Sequence, residues 1–369
     1  MTEPPMLMVG LMSGTSLDGV DAALVRISSS TALELVHFVH RPYSVTERGR
    51  IAAILEGRTI REVALLHASV SHWACEAVDA LLAAAHVRAD TVAAIAFPGQ
   101  TAWHEPPNVS FALGEPAILA ERFGVRVVHG FRARDVAAGG QGAPLVPIAD
   151  ALCFGAPDHA RVLLNVGGMA NVTWVGRRGV LDDVVGADTG PGMAVIDGVA
   201  RLVNSALPYD VDGELAARGV VDPVALSALL ADPFFATPPP RSTGREHFGA
   251  DYASALHARV PGVDGVRTAV ALTAESIAMF CTEYLPAAPE MVVAGGGVHH
   301  PVLMELLRNR MARHQVVVRR FDELFFSGDA KEAVAFALLA WLTLHGQPGN
   351  LTGVTGARGI RVLGAITPG

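Results

Sequence analysis

The sequence predicts an α/β protein made of two similarly built halves. Apolar runs flank a glycine-rich turn over residues 6–25, and the same order of strand, glycine turn and strand returns over residues 161–175. Between and after these hairpins, short apolar segments alternate with amphipathic ones, which is the pattern of strands and helices in an α/β fold. Two hairpins of one format indicate a duplicated fold with one candidate ligand-binding turn in each half.

The composition is that of a globular protein with room for two domains. The chain has 369 residues, of which 51% are hydrophobic and 17% charged, enough to bury a sizeable core. Its formal net charge is −8 at pH 7 and no basic run occurs, so a nucleic-acid partner is not expected. The longest apolar stretch, residues 333–344, is too short to cross a bilayer and predicts a buried helix.

The cysteines and the amino terminus favour a cytoplasmic protein. Cys75, Cys153 and Cys281 are far apart and form no C-x-x-C pair, so we expect reduced, mostly buried thiols. The first residues have neither the positive segment nor the apolar core of a signal peptide. Because G-x-S-x-G and H-E-x-x-H are also missing, the serine-hydrolase and zinc-enzyme classes lack support.

The turn at residues 10–21, GLMSGTSLDGVD, is the most informative segment of the chain. Glycines, hydroxyl side chains and two aspartates between apolar runs predict a hairpin with a polar bend. Successive backbone N–H groups in such a bend bind anions, and Asp18 and Asp21 could hold a magnesium ion beside bound phosphates. An ordinary hairpin is the alternative, and this segment alone leaves both open.

The first third continues with helices, short strands and two polar loops. Residues 61–87 predict a long helix with one apolar stripe, and residues 116–123 predict a helix that ends at Gly124. Residues 92–97 and 125–128 predict strands, and the loops after strands are where ligands bind in open α/β sheets.

Those two loops contain candidate substrate contacts. Gln100 and Thr101 follow the first strand and could hydrogen-bond sugar hydroxyls. Arg132 and Arg134 follow the second strand and could meet a substrate carboxylate. An ordinary connection between strand and helix remains the alternative for each loop.

The chain contains a single lysine, Lys331, in the segment DAKE. A Walker A loop needs a lysine between glycine and serine or threonine, so this sequence has no such loop. The phosphate charge of any bound nucleotide must therefore be met by backbone N–H groups, by magnesium or by arginine.

Asp188 is the candidate general base of the second half. It lies in residues 186–192, GADTGPG, between an apolar run and a helical pattern. The spacing predicts a strand end just before a helix, where Asp188 or Thr189 could cap and Pro191 suits the first turn. An ionised aspartate in a cleft can instead act as a general base toward a hydroxyl or water. Spacing alone leaves both roles open.

Three successive glycines, Gly295, Gly296 and Gly297, follow a later predicted strand. They would let the backbone approach a flat ligand closely, although a packed turn would look the same. The segment lacks G-x-G-x-x-G, so a dinucleotide fingerprint is not supported. His299 and His300 follow without an evident third metal ligand, which favours a polar loop.

Taken in order, these segments resemble the anhydro-N-acetylmuramic acid kinase family over nearly the whole chain. The resemblance rests on an ordered series of motifs and not on one of them. The motifs are residues 10–21, 99–101 with His104, 135–147, 165–171, 188–192, 242–246, 295–297, 332–337 and 354–357.

The resemblance implies an actin/hexokinase/Hsp70-like fold, with two RNase-H-like domains around a nucleotide cleft. The domains would comprise residues 1–137 with 352–369, and residues 138–351. It also implies a homodimer that uses ATP and Mg²⁺. In such enzymes water opens the 1,6-anhydro bridge at C1, and the released O6 takes the γ-phosphoryl group of ATP. The product is N-acetylmuramic acid 6-phosphate, an intermediate of cell-wall recycling.

Roles for individual residues follow from the same resemblance. Asp188 matches the catalytic base of the family. The nucleotide-binding residues would be Gly14, Thr15, Ser16, Asp18, Gly19, Asp21, Gly167, Gly168, Gly295, Gly296 and Gly297. The metal ligands would be Asp18 and Asp21. Gln100, Thr101 and Glu332 would touch the sugar, with Arg132 or Arg134 near its lactyl carboxylate.

Several positions depart from the family pattern, on the sugar side or beside the base. Pro98 stands where a His or Asp is usual, Gly130 replaces an Asp, and Met193 stands where Asn usually follows Gly-Pro-Gly. The ATP-side motifs are intact, so phosphoryl transfer is the expected chemistry. A kinase for a different anhydrosugar and a nucleotide-binding regulator without turnover are the alternatives.

Overall fold

The computed structural model describes residues 4–14 and 17–369, and the side chains of residues 55 and 56 also lie outside the description. The chain forms two compact units, Met1–Cys153 with Ala330–Gly369, and Phe154–Asp329. Residues 138–153 and 330–351, which the sequence assigned to the second domain, thus belong to the first unit.

Strands and helices alternate along the chain. The strands are β1 (Met6–Met12), β2 (Gly19–Ser29), β3 (Ala32–Pro42), β4 (Ala94–Phe97), β5 (Gln100–Glu105), β6 (Val109–Leu113), β7 (Val127–His129), β8 (Arg161–Val166), β9 (Met169–Val175), β10 (Val185–Pro191), β11 (Glu290–Ala294), β12 (Val317–Arg320) and β13 (Ala365–Thr367). The α-helices are α1 (Val45–Ala52), α2 (Ile60–Ala85), α3 (Pro116–Phe123), α4 (Phe131–Ala137), α5 (Pro147–Ala149), α6 (Met193–Val203), α7 (Glu214–Arg218), α8 (Pro223–Leu230), α9 (Ala250–Arg259), α10 (Val263–Tyr284), α11 (Pro301–Ala312), α12 (Lys331–Leu344) and α13 (Thr352–Thr355). No described helix is long and apolar enough to cross a membrane.

Each unit is built on a sheet with the same strand order. The first sheet runs β13-β7-β4-β1-β2-β3 and the second runs β10-β9-β8-β11-β12. In both sheets the first three strands in chain order pair antiparallel, and the next two strands of the sheet lie parallel to the first of those three. The first sheet has one more strand, β13, which pairs antiparallel with β7 at the edge. This repeated topology confirms the duplicated α/β fold and is that of the RNase-H-like class.

The helices of the first unit form where the sequence predicts them. Helix α2 carries a capping box, in which Thr59 accepts the amide proton of Glu62 and Glu62 reaches back to Thr59. Helix α3 starts at Pro116 and ends at Gly124, whose φ of 63° is the left-handed conformation that glycine adopts without strain. These two predictions are confirmed.

Helix α12 lies directly on strand β1, which explains why it belongs to the first unit. A Cβ atom at Gly10 would lie 1.9 Å from the Ala333 carbonyl oxygen, so strand and helix are in backbone contact. Nearly all of α12 is buried, as the apolar pattern of residues 333–344 predicts. The same contact places the first residues of α12 beside the turn between β1 and β2.

A buried aspartate joins the segment after α4 to the end of the chain. Asp135 is fully buried and accepts hydrogen bonds from Gly142 N at 2.8 Å, Asn350 Nδ2 at 2.7 Å and Thr355 Oγ1 at 2.8 Å. Three donors satisfy a carboxylate that would be costly to bury alone. Two of the family motifs, residues 135–147 and 354–357, are thereby held together inside the first unit.

Candidate active site

The glycine-rich turn of the first unit runs from the end of β1 to the start of β2. Thr15 and Ser16, both predicted to bind nucleotide, lie outside the described residues. Gly14 and Leu17 flank them, and Leu17 N donates to Gly14 O at 3.3 Å. A Cβ atom at Gly19 would lie 2.3 Å from Arg41 O, so glycine is required there by packing on β3.

Hydrogen bonds among polar side chains hold this turn in place. Ser13 Oγ lies 2.8 Å from the Tyr43 hydroxyl and 2.5 Å from Gln100 Oε1, and Gln100 Nε2 donates to Gly14 O at 3.3 Å. Burial raises the pKa of Tyr43 to about 12, so this phenol is a neutral donor. Gln100 is 1% exposed, and its amide is occupied by the turn. Thr101, the next predicted sugar contact, is partly exposed at the start of β5.

Three carboxyl groups gather beside the turn. Glu332, in the first turn of α12, has a pKa raised by burial and by the negative charges of Asp21 and Asp18. The positive charges of Lys331 and Arg132 act in the opposite direction. Asp21 Oδ1 lies 2.7 Å from His40 Nδ1. A concentration of negative charge of this kind is relieved when a cation binds.

Two basic side chains next to this cluster have different surroundings. Lys331 Nζ lies 2.8 Å from Asp150 Oδ1, and both side chains are almost fully buried. Arg132 donates to Gly142 O at 2.9 Å, and burial lowers the pKa of its guanidinium while Glu332 raises it. Arg134, the alternative sugar-carboxylate partner, is exposed on α4. Of the two arginines, Arg132 is therefore the one that lies near Glu332.

In the second unit, Asp188 lies within strand β10 and not at a helix cap. Strand β10 stays paired with β9 as far as Pro191, with a bulge between Asp188 and Gly190, and α6 begins after Gly192. The expectation that Asp188 or Thr189 caps the helix is therefore wrong, because strand pairing extends further than the pattern indicates. The hydroxyl of Thr189 donates to Ala170 O at 3.2 Å.

The carboxyl group of Asp188 is partly buried and accepts one hydrogen bond from the backbone. Thr243 N donates to Asp188 Oδ2 at 2.8 Å. Burial raises the pKa of Asp188 to about 6; the Thr243 bond and the charge of Arg241 lower it, and Glu246 raises it. Among the described residues, the other oxygen, Oδ1, accepts no hydrogen bond. Asp188 is therefore ionised at neutral pH but more basic than an ordinary aspartate.

Arg241 holds the segment that supplies this hydrogen bond. Its guanidinium donates to the backbone oxygens of Asp188 and Thr189 and to those of Phe234, Phe235 and Thr237. It also lies 4.5 and 4.6 Å from the ring centroids of Phe234 and Phe280. These contacts fix the backbone on both sides of the carboxylate. The sequence pattern gave no role to Arg241 or Thr243, because only the fold brings them to β10.

The second glycine turn, Gly167 and Gly168, is tied to the start of α6. Gly168 O accepts from Gly192 N at 2.9 Å and Ala194 N at 3.0 Å, and Gly167 O accepts from Met193 N at 2.8 Å. A Cβ atom at Gly192 would lie 2.4 Å from Gly167 O. The turn and the helix start thus form one rigid piece of backbone.

The glycines after β11 have two different causes. A Cβ atom at Gly295 would lie 2.6 Å from Asn165 Oδ1, and one at Gly297 would lie 2.5 Å from Val166 Cγ1, so close packing on β8 requires both. Nothing lies within 4 Å of such an atom at Gly296, which leaves open space on that side. Gly296 is therefore the one glycine of the three that packing does not require, and the contact of all three with a ligand stays a prediction.

His300, the second of the paired histidines after these glycines, has two partners within the second unit. His300 Nδ1 accepts from Leu303 N at 3.2 Å, which caps α11, and His300 Nε2 lies 3.2 Å from Asp210 Oδ2. Across residues 4–14 and 17–369, no group of three or more His, Cys, Asp or Glu side chains is arranged to hold a metal.

Comparisons with known proteins identify the family. The family profile of anhydro-N-acetylmuramic acid kinase matches residues 6–369. An anhydro-N-acetylmuramic acid kinase of Gloeobacter violaceus is 42% identical over 378 residues, covering 99% of both chains. One from Caldanaerobacter subterraneus subsp. tengcongensis is 37% identical over 384 residues, covering 98% of this chain and 96% of the relative.

Among solved structures, the similarity is lower. The activator of the 2-hydroxyisocaproyl-CoA dehydratase from Clostridium difficile with bound ADPNP superposes with a TM-score of 0.45 at 12% identity, over 91% of this chain and 94% of that chain. This similarity is too low to bear on function. The family profile and the full-length relatives confirm the expected resemblance, and with it a kinase. The chain belongs to the anhydro-N-acetylmuramic acid kinase family.

Proposed function

We propose that this protein uses ATP to open the 1,6-anhydro ring of 1,6-anhydro-N-acetylmuramic acid and to phosphorylate O6. The observation that carries the proposal is Asp188, a carboxylate with a pKa of about 6 at the position of the catalytic base in the family. Water would add to C1, the bond from C1 to O6 would break, and O6 would take the γ-phosphoryl group as ADP leaves. The proton released by water would pass to Asp188.

The surroundings of Asp188 suit the role of general base. Thr243 N holds one carboxylate oxygen, so the group is oriented while the other oxygen can accept a proton. A pKa of about 6 keeps most of the carboxylate ionised at neutral pH and brings its basicity closer to the working pH. Arg241 donates hydrogen bonds to the backbone carbonyls of Asp188 and Thr189, which keeps the carboxylate oriented.

We assign the β- and γ-phosphates of the nucleotide to the turn of the first unit from Gly14 to Asp21. Gly167 and Gly168 of the second unit stay in the proposal as nucleotide-binding residues. Asp18 and Asp21 would hold Mg²⁺, and the charge gathered with Glu332 fits a cation. Mg²⁺ is commonly held by only one or two carboxylates plus phosphates, so a set of two suffices. When bound, the ion would offset charge on the phosphoryl group during transfer.

For the sugar, we assign Glu332 and Arg132 as direct contacts. Arg132 is preferred to Arg134 because its guanidinium lies near Glu332 while Arg134 is exposed. Thr101 stays in the proposal as a sugar contact. Gln100 is given the role of holding the glycine turn, because its amide bonds to Ser13 and Gly14. Gly296 is assigned to the adenosine side.

Three further parts of the proposal rest on the family resemblance. These are a homodimer, a cytoplasmic location and a place in the recycling of cell-wall sugars. Sedimentation of the purified protein tests the first, and the intracellular fate of labelled anhydrosugar in a deletion strain tests the other two.

The decisive experiment is a transfer assay with ATP, Mg²⁺ and a panel of anhydrosugars in water enriched in ¹⁸O. We expect ADP release with 1,6-anhydro-N-acetylmuramic acid and a sugar 6-phosphate that carries one ¹⁸O at C1 when quenched early. Turnover only on another anhydrosugar would favour the alternative prompted by Pro98, Gly130 and Met193. ATP binding without any product would favour a regulator.

A further inference from the structure

A second charged group lies on the segment that supports Asp188. Residues 242–246 contribute Thr243, which bonds the carboxylate at 2.8 Å, and two residues later Arg245, whose side chain is exposed. Its Nε and Nη2 atoms each lie 3.7 Å from the position that a Cβ atom would take on Gly168. The guanidinium therefore lies over the second glycine turn, against a residue without a side chain.

Arg245 has no carboxylate within ion-pair distance among the described residues. Asp197 on α6 is within electrostatic range of Arg245. Burial raises the pKa of Asp197 to about 6, and the positive charge of Arg245 acts in the opposite direction. Glu246 folds back toward Gly244, where a Cβ atom would lie 2.2 Å from Glu246 Oε2. The guanidinium thus keeps its donors for something outside the chain.

Arg241 of the same segment and Lys331 of the first unit are two cationic side chains that are already occupied. Arg241 is buried, and its guanidinium N–H groups donate to backbone carbonyls. Lys331, the single lysine of the chain, is buried against Asp150 at 2.8 Å. A polyphosphate beside the turn at Gly168 would therefore find its positive partner in Arg245.

We propose that Arg245 is a phosphate-binding residue that contacts the polyphosphate of the nucleotide from the second unit. This inference rests on the proposed kinase function and names a residue to which that function gave no role. A planar guanidinium offers several donors to phosphate oxygens and is always charged. Arg245 would supply the positive charge that the Walker A lysine supplies in P-loop enzymes, because this chain has no Walker A loop.

The position of Arg245 favours phosphate over the sugar carboxylate. The turn at Gly167 and Gly168 joins the first two strands of the second sheet, β8 and β9. The turn at residues 14–21, to which we assign the nucleotide phosphates, joins β1 and β2 of the first sheet. Because the two sheets share a strand order, the turn between the first and second strands occupies the same position in each sheet. The carboxylate of the sugar is already assigned to Arg132.

The test measures ATP binding and sugar binding separately by calorimetry in Arg245→Gln and Arg245→Lys. We expect the Kd for ATP to rise about 10- to 100-fold in Arg245→Gln, the range for losing a hydrogen bond to a charged group. Arg245→Lys should recover part of the loss, because charge remains but the planar fork is gone. The Kd for the anhydrosugar should stay within about twofold.

Arg308→Gln is the matched control, because Arg308 is an exposed arginine on α11 of the same unit. It should leave both affinities and turnover unchanged. Loss of sugar affinity in Arg245→Gln with unchanged ATP affinity would move this residue to the carboxylate and overturn the proposal. Unchanged affinity for both ligands would overturn it as well.

The wild-type protein separates this inference from the kinase proposal. If wild type transfers phosphate to an anhydrosugar but Arg245→Gln still binds ATP normally, only the role of Arg245 fails. If wild type binds ATP but phosphorylates no anhydrosugar, the kinase proposal fails while the ATP affinities still decide the role of Arg245.

Discussion

The two units share a strand order but use the first turn of their sheets in different ways. In the first unit, side chains support the turn from below, through Tyr43, Ser13 and Gln100. In the second unit, the carbonyls of Gly167 and Gly168 are bonded to the amides that begin α6. One topology therefore yields a polar, side-chain-braced bend in one unit and a backbone-braced bend in the other.

The charged groups differ in the same way. The first unit contains a buried ion pair, Lys331 with Asp150, beside a group of carboxyls. In the second unit Asp188 is partly buried and has no ion pair among the described residues, and burial raises its pKa to about 6. The second unit also holds a buried pair, His300 with Asp210, so Asp188 differs from these paired groups in having a raised pKa and no charged partner within ion-pair distance in the described part of the chain. A carboxylate of this kind is a candidate for chemistry.

The largest expected effect separates chemistry from binding in the second unit. Asp188→Asn keeps the shape and the acceptor for Thr243 N but cannot take a proton. We expect kcat to fall by about 10²–10⁴-fold, with ATP affinity within a few-fold in calorimetry. Asp182→Asn, at an exposed aspartate of the same unit, should behave as wild type. A fully active Asp188→Asn protein would remove this residue from the mechanism.

The next effect concerns stability in the first unit. Lys331→Met leaves Asp150 buried without its partner and should lower the free energy of unfolding by about 3–5 kcal/mol. Urea denaturation measures the loss. The double variant Lys331→Met with Asp150→Leu removes both charges and should regain a large part of it. If the single variant is as stable as wild type, the ion pair does not hold this unit together.

The pH dependence of Asp188 sharpens the contrast. Because burial raises its folded pKa to about 6, above the ordinary aspartate value of 3.8, the folded state binds the proton more tightly. Stability from this group is present below about pH 4 and is lost as pH rises to about 6. Asp188→Asn should therefore be more stable than wild type at pH 7, by up to about 3 kcal/mol.

Activity should change with pH in the opposite direction. The profile of kcat/KM should lose activity on the acid side with an apparent pKa near 6, because only the ionised carboxylate accepts a proton. A profile that is flat from pH 5 to 8 would exclude this carboxylate as the base.

The smallest effect tests the contact between β1 and α12. Gly10→Ala places a Cβ atom 1.9 Å from Ala333 O, which forces strand and helix apart and should cost about 1–3 kcal/mol of stability. Gly49→Ala is the control, because nothing lies within 4 Å at that position of α1. It should stabilise by about 0.5–1 kcal/mol. Equal stabilities in thermal melts would show that the contact can relax freely.

Local patterns predicted much of the fold but less of the site. The capped helices α2 and α3 and the apolar helix α12 follow from spacing, because each carries its signals within a few residues. The helix start at Asp188 was predicted wrongly, since pairing of β10 with β9 continues through Pro191. Gly295 and Gly297 stay predicted ligand contacts, and the structure adds that packing on β8 requires glycine at both positions, which the sequence pattern could not show.

The sequence by itself determined the duplicated α/β format and the family, because periodicity and ordered motifs are properties of the chain alone. Tertiary structure decided which side chains are buried and which hydrogen-bond or ion-pair partners they have. It buried Gln100 in the turn, paired Lys331 with Asp150, brought Thr243 to Asp188 and laid Arg245 beside Gly168. The physical reason is that the cost of burial and the reach of a hydrogen bond depend on neighbours distant in sequence.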